Sequence, residues 1–242
     1  QETKMQEITR IKVIAILGVN FEHYVYLPSL GASGGILVAW KSHLQVTGLS
    51  RVDNFSVSMQ FKNSNGQHWW LTNVYGPQSN EDKISFLLEL RQIRAECHGP
   101  WVVSGDFNLI YKEDEKNNVF CDRAMMGRFR KFIDDTSLID LPLIGRNYTW
   151  SNHQVSPTLV RLDKALCSSE WEDVFPNNLV QSAASEDSDH CPLVLGLKSN
   201  CFGKRRFHFE SFWPKLDGFQ EAVSEAWLSI DDGVYPWPPR RR

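Results

Sequence analysis

The sequence predicts a mixed α/β protein in which two β-sheets are flanked by helices. Three observations predict it. Residues 55–61 alternate strictly between apolar and polar, and the run Trp69–Tyr75 returns after an Asn65-Gly66 turn, so the two read as a hairpin with one buried face. Two stretches, 80–97 and the run after Asp122, repeat apolar residues at helical spacing. Short apolar runs beside turn residues, Trp101-Val102-Val103 and Leu193-Val194-Leu195, read as buried strands.

Taken in order, residues 5–17 read as a helix leading into a strand, and 34–40 as a buried strand after a glycine turn. The hairpin over 55–75 follows. Asn80 is placed to cap the first long helix, with Ile84, Leu87, Leu88, Arg91 and Ile93 marking its inward stripe. Asp122 is placed to cap the second, with Met125, Met126, Phe129, Phe132 and Ile133 on one face. Tyr148-Thr149-Trp150 and Leu159–Leu162 look like paired strands. Ser168 or Ser169 caps a short helix that runs through Phe175 and that Pro176 ends, and residues 193–197 form a last core strand. Beyond Lys198 the pattern changes. One amphipathic helix is expected over 217–230, with Phe219, Val223, Trp227 and Ile230, before Pro236-Trp237-Pro238-Pro239 breaks any structure. The chain therefore divides into a domain at 1–198 and a linker at 199–242 leading toward a further domain.

Composition excludes several classes. With 42% hydrophobic and 23% charged residues the chain is ordinarily globular, and no apolar run is long enough to span a membrane. Five scattered cysteines without a CxxC pair argue against structural zinc and for a reducing, intracellular setting, nuclear or cytoplasmic. The net charge of -3 does not advertise a nucleic-acid binder, but acidic metal ligands count against the total while the cation they hold attracts phosphate. The basic clusters Lys204-Arg205-Arg206 and Arg240-Arg241-Arg242 lie outside the expected catalytic core and read as solvated charge.

The chemistry concentrates in two short runs, Gly105-Asp106-Phe107-Asn108 and Ser188-Asp189-His190. Each sets an acid beside a second polar residue at the end of an apolar strand. Carboxylate and carbonyl oxygens suit a hard divalent cation, and an imidazole titrates near neutral pH. With Gln1-Glu2-Thr3-Lys4, Val74-Tyr75-Gly76-Pro77, Tyr148-Thr149-Trp150-Ser151-Asn152 and Arg161-Leu162-Asp163, these runs follow the order of a known family. The chain resembles the endonuclease/exonuclease/phosphatase superfamily, and most closely the endonuclease domain of plant non-LTR (LINE-type) retrotransposons. The plant flavour comes from 31–36, 141–143 and 171–176.

The resemblance implies a four-layer sandwich of two mixed β-sheets flanked by helices, with the N-terminal strand missing. The family pattern starts one strand earlier, with an asparagine that contributes to the site. The expectation is therefore a fragment with Glu2 on a fraying end and weak cleavage by itself. The resemblance also implies a Mg2+- (or Mn2+-) dependent phosphodiesterase that nicks DNA and, in the full-length protein, adjoins a reverse transcriptase domain. Glu2 and Asp189 would hold the metal. Asp106 would position or deprotonate the attacking water, and Asn108, two positions along an extended chain, would hold the phosphate. Tyr75 would donate to phosphate. His190 would press on a phosphoryl oxygen or act as base, and Asp163 would orient it. Lys4, Asn147 and Asn152 are candidate DNA contacts, while Trp150 reads as packing. Ordinary alternatives stand beside these: an ion pair of Asp163 with Arg161, a core histidine, a core tyrosine, a turn-capping Asp106. Two rival functions also remain: another phosphodiesterase or phosphatase of the superfamily, acting on abasic DNA, RNA or phosphoinositides, and a non-catalytic remnant.

Overall fold

In a computed structural model the described residues are 1–31, 33–48, 50–63, 65–183, 188–197 and 217–228. The architecture is mixed α/β, as the sequence predicts. Its centre is a seven-stranded sheet. Strands β3 (Gln45–Val46), β5 (Ser56–Lys62), β6 (His68–Tyr75), β7 (Trp101–Asp106), β12 (Asp163–Ser168) and β8 (Leu138–Asp140) lie in that order, and β4 (Arg51–Val52) pairs with β5 off the path. Only β6 and β7 run parallel within it. The parallel step requires a crossover, and α2 (Asn80–Glu96) supplies it.

Side chains alternate across this sheet and fill two different spaces. Val103 and Leu166 join Phe86, Leu90, Phe107, Phe129 and Phe132 in one cluster under α2 and α3 (Arg123–Thr136). Val102, Ala165 and Cys167 face the other way, onto Trp171 of α4 (Ser169–Val174) and onto Val180 and Leu193. This second layer consists of two separate pieces. One is the antiparallel pair β1 (His23–Leu27) and β2 (Ile36–Trp40); the other is a three-stranded sheet, β14 (Leu193–Gly196), β13 (Leu179–Ser182) and β9 (Leu143–Ile144). Between the second layer and the central sheet lies a cavity of about 380 Å³, lined by Asn73, Ser104, Ala165, Val180, Leu193 and Leu195 among others. The remaining pair, β10 (Trp150–Ser151) and β11 (Leu159–Val160), projects as a small hairpin.

Local signals explain most elements. Asp122 caps α3 by accepting from the Met125 amide, and all five apolar residues expected on its inner face are buried. Ser168 caps α4. Other details differ. The cap of α2 is Ser79, one residue earlier than expected, and its side chain accepts from the Asp82 amide. The stripe of α2 is rotated: Phe86, Leu87, Glu89, Leu90 and Ile93 are buried, while Ile84 and Leu88 are exposed. Glu89 is drawn inward because its carboxylate accepts from the amides of Asn54 and Phe55 and from the Ser56 hydroxyl. The first helix, α1 (Arg10–Leu17), ends at Gly18, and the next strand begins only at His23. The last strand, β14, lies at the edge of its sheet among the described residues: Leu193 and Leu195 pack against the core while Val194 is exposed.

The N-terminal segment has backbone partners. The amides of Thr3 and Lys4 donate to the carbonyls of Gly35 and Gly34, and the Ser29 amide donates to Met5, so residues 3–5 are held against the glycine turn before β2. The helix expected at 217–230 is α5 (Phe219–Leu228). Both basic clusters and the Pro-Trp-Pro-Pro run lie outside the described residues.

Candidate active site

Three neighbouring strands bring the predicted residues into one row. In the parallel register of β6 and β7, Tyr75 lies opposite Asp106; in the antiparallel register of β7 and β12, Asp106 lies opposite Asp163. Residues in register share a face. All three side chains therefore stand on the face turned away from α2 and α3.

Asp106 and Asn108 do meet, but not because the chain stays extended. Strand β7 stops at Asp106, and Asn108 adopts a left-handed conformation with φ +50°. Asparagine tolerates that region better than most residues. The Asn108 amide donates to Asp106 Oδ1 at 2.8 Å, and its Nδ2 donates to the Gly76 carbonyl at 2.7 Å and to Asp106 Oδ2 at 3.1 Å. The turn needs Gly76, because a Cβ there would stand 2.1 Å from the Phe107 carbonyl oxygen. Gln78, which the sequence did not single out, donates to Asn108 Oδ1.

His190 arrives from a different element. The Cys191 amide donates to the Thr149 carbonyl, the Ser151 amide donates to the Asp189 carbonyl, and Trp150 bridges His190, so the base of the β10–β11 hairpin holds the Ser-Asp-His run over the row. His190 Nδ1 lies 2.8 Å from Asp163 Oδ2, and Nε2 lies 3.9 Å from Asp106 Oδ2. The ion pair between Asp163 and Arg161 does not form. Strand β12 starts at Asp163, and Arg161 turns instead to Glu115 and Asp140. Trp150 does more than pack, since its Nε1 donates to Asp189 Oδ2 at 2.9 Å. Thr149, read in the sequence only as part of a motif, has a supporting role. Its buried hydroxyl accepts from the amides of both Leu162 and Asp163.

A cleft of about 230 Å³ opens over this row, lined by Gln1, Glu2, Lys4, Tyr75, Asp106 and the Ser188-Asp189-His190 run. Glu2 and Asp189 thus reach the same space as Asp106. Lys4 lies in it too, 3.5 Å from Glu2. Asn147 is exposed, while Asn152 spends its side-chain oxygen on the amides of Gln154 and Thr158, shaping the hairpin loop.

The site is electrostatically tense. Burial, then the charge of Asp163, pushes Asp106 up to about 7, against the pull of His190 and the Asn108 amide. For His190, burial works to lower the pKa, but the hydrogen bond and charge of Asp163, with Asp106 and Asp189 behind it, hold the imidazole up at about 9. Burial, followed by the charges of Glu2 and Asp106, raises Tyr75 to about 12. At neutral pH the histidine is therefore a cation that donates, Tyr75 keeps its proton, and Asp106 sits near its own titration point.

The donors fit a hard cation. Glu2 and Asp189 present carboxylates to one cleft, although no group of three or more His, Cys, Asp or Glu is close enough to enclose a metal among the described residues. Magnesium is commonly held by one or two carboxylates together with water and substrate phosphate, so two carboxylates suffice.

Strand-end carboxylates, a left-handed asparagine and a carboxylate-held histidine thus stand together in an open cleft on a layered α/β scaffold. The chain belongs to the Endonuclease/Exonuclease/phosphatase family, whose sequence profile matches residues 1–190. Members of this family are typically hydrolytic nucleases and phosphodiesterases, and generally depend on a divalent metal. Among solved structures the chain is similar to the endonuclease domain of TRAS1, a telomere-specific non-LTR retrotransposon, with 15% identity, a TM-score of 0.58, and coverage of 74% of this chain and 80% of that one. It is also similar to a humanized D. rerio TDP2, with 15% identity, a TM-score of 0.48, and coverage of 78% and 81%. No match was found among curated protein sequences. No helix among the described residues is long and apolar enough to cross a membrane.

Proposed function

We propose that this chain is a divalent-metal-dependent DNA endonuclease that nicks target DNA and leaves a 3′-hydroxyl for reverse transcription. The observation that carries the reading is the row Tyr75, Asp106 and Asp163 with His190 above it and Asn108 beside it. This is a set of donors and one base grouped around a space that would take a phosphodiester. A retrotransposon setting, with a reverse transcriptase domain as neighbour, is supported by the six sequence motifs and by the likeness in fold to a retrotransposon endonuclease domain. The plant affiliation rests on the looser runs at 31–36, 141–143 and 171–176.

Asp106 orients a water and takes its proton as the water oxygen attacks phosphorus in line. A carboxylate tuned to about 7 is a better base near neutral pH than an ordinary one. The P–O3′ bond breaks, the phosphate stays on the 5′ side, and the departing O3′ takes a proton from solvent. Protonated His190 and Tyr75 donate to the phosphoryl oxygens, where charge builds, and Asn108, expected to hold the phosphate, spends its Nδ2 on the Gly76 carbonyl and Asp106 and so holds that carboxylate in place. Its pKa makes His190 a donor rather than the base. Asp163 keeps its ring charged and oriented. A divalent cation held by Glu2 and Asp189 would, when bound, offset charge on the phosphoryl and leaving oxygens.

The test is nicking of supercoiled plasmid in magnesium, with end-group analysis of the nick, beside assays on an abasic duplex, an RNA tail and a phosphoinositide. The expected result is nicked circles with 3′-hydroxyl and 5′-phosphate ends, lost in Asp106→Ala. Phosphate release from the lipid headgroup with intact plasmid would replace this reading by that of a phosphoinositide phosphatase.

A further inference from the structure

On the opposite face of β12 from Asp163 lies a set of charges that the reaction does not use. Lys164 is fully buried and Glu115 is 3% exposed, and their Nζ and Oε1 atoms are 2.6 Å apart. Arg161 reaches the same Glu115 oxygen at 3.3 Å, Asp140 at 2.8 Å and the Leu141 carbonyl at 3.0 Å. Lys164 also approaches Asp140 at 3.8 Å. Two acids and two bases thus make a neutral, nearly dry network drawn from the short helix Glu113–Glu115, from β8 and from both sides of Leu162-Asp163.

Stability alone does not explain such a network. Removing two charges from water costs more than their attraction commonly returns, and apolar residues of similar size are often as stable or more so. Position is what the network does fix. Glu115 Oε2 accepts from the Tyr111 amide at 2.6 Å, and the Glu115 carbonyl accepts from the Arg161 amide at 2.8 Å. The network therefore ties the loop that leaves Asn108 to the segment that delivers Asp163. Because neighbouring residues on a strand point to opposite faces, anchoring Lys164 on the helix side sets the rotation of β12 that turns Asp163 toward His190.

We propose that Lys164, Glu115, Arg161 and Asp140 form a positioning network that holds the Asp163 carboxylate in register with His190, and so sets the orientation of the imidazole. None of the four touches the reacting atoms. The inference rests on the nuclease reading only for its effect on rate. Its effect on His190 stands without it.

The experiment compares wild type with Lys164→Met/Glu115→Gln, in which the buried charge pair is removed while the glutamine oxygen still accepts from the Tyr111 amide. The hydrogen bond from His190 Nδ1 to Asp163 is followed by the low-field NMR resonance of its proton, assigned by its loss in His190→Asn, beside melting temperature and single-turnover nicking. The expected result is a folded protein in which that resonance is lost or clearly displaced. Nicking should fall by about tenfold to a hundredfold, the range that a displacement of about an ångström can cause, with substrate affinity little changed. If the double variant does not fold, Glu115→Gln alone carries the test. An Nδ1 proton resonance identical to wild type in the folded variant overturns the proposal, whatever the melting temperature. If wild type does not nick DNA yet the resonance changes, the nuclease reading fails and the positioning network stands.

Discussion

The two faces of the central sheet solve opposite problems with the same strands. Toward α2 and α3, β7 and β12 send Trp101, Val103 and Leu166 into a space filled by Phe86, Phe107, Phe129 and Phe132, all essentially inaccessible. Even the charges on that side are matched, Lys164 with Glu115 and Arg161 with Asp140. Toward the second layer the same strands send Ser104, Asp106, Asp163 and Ala165, and there the packing opens into a cavity and a cleft. Asp106 is as buried as a core residue, yet it faces Asp163 with a shared histidine between them. One face is closely packed, with its charges paired. The other holds carboxylates at a cost that only binding and chemistry can justify, and such crowding of like charges under partial burial is what shifts pKa values at working sites.

Mutations should separate the faces. The largest effect is expected on the open face: His190→Ala and Asp106→Ala should each reduce nicking by about 10²- to 10⁴-fold, the usual worth of a positioned acid or base. Duplex affinity by fluorescence anisotropy should be largely retained. Near-normal nicking in either variant would remove that residue from the mechanism.

On the filled face, Phe129→Ala should destabilise by about 3–5 kcal/mol, as expected for a large buried aromatic. Leu195→Ala, at a half-buried site beside the cavity, should cost about 1 kcal/mol. Denaturant titration of both variants compares the faces directly, and equal losses would mean that the second layer is packed as tightly as the first.

The pH dependence should belong to the open face. Nicking should rise as Asp106 ionises near 7 and fall as His190 loses its proton near 9, giving a bell whose limbs belong to the coupled group rather than to single residues. Both folded pKa values lie above their unfolded ones. The stability linked to His190 is therefore complete below about 6.5 and is lost as pH rises through 9. That linked to neutral Asp106 is complete below about 3.8 and is lost as pH rises through 7. At pH 8 Asp106→Asn should consequently melt higher than wild type while nicking far less. A variant that melts lower would show that the carboxylate supports the fold.

The last effect is that of the cation on stability. Magnesium at about a hundred times its dissociation constant should stabilise by about 2.7 kcal/mol, a shift of several degrees in melting temperature that disappears in Glu2→Gln/Asp189→Asn. An equal shift in that variant would place the cation elsewhere.

Much of this was legible in the sequence for local reasons. Alternation in 55–61, the capped stripe after Asp122 and the Ser168 cap each follow from contacts within a few residues, and each element formed where the pattern put it. The candidate site residues were legible because motifs mark them individually, and the structure places Tyr75, Asp106, Asn108, Asp163, Asp189 and His190 in one neighbourhood. Strand β12 was not. Only its approach, Leu159–Leu162, looked strand-like, because a strand buried on both faces shows no alternation, and Lys164 breaks the apolar run that would have marked it. The stripe of α2 was misread for a similar reason, since a buried glutamate is satisfied by amides some 35 residues away.

By itself, then, the sequence determined the element types, the mixed α/β class and the list of chemically capable residues, because propensity, capping and motif identity are local. Only the tertiary structure decided who meets whom. It assigned Asp163 to His190 and Arg161 to Glu115 and Asp140, turned Trp150 into a hydrogen-bond donor for Asp189, and raised an aspartate and a histidine to about 7 and about 9. Those outcomes depend on strand register and on the loss of water around charges, and both are set by residues far apart along the chain.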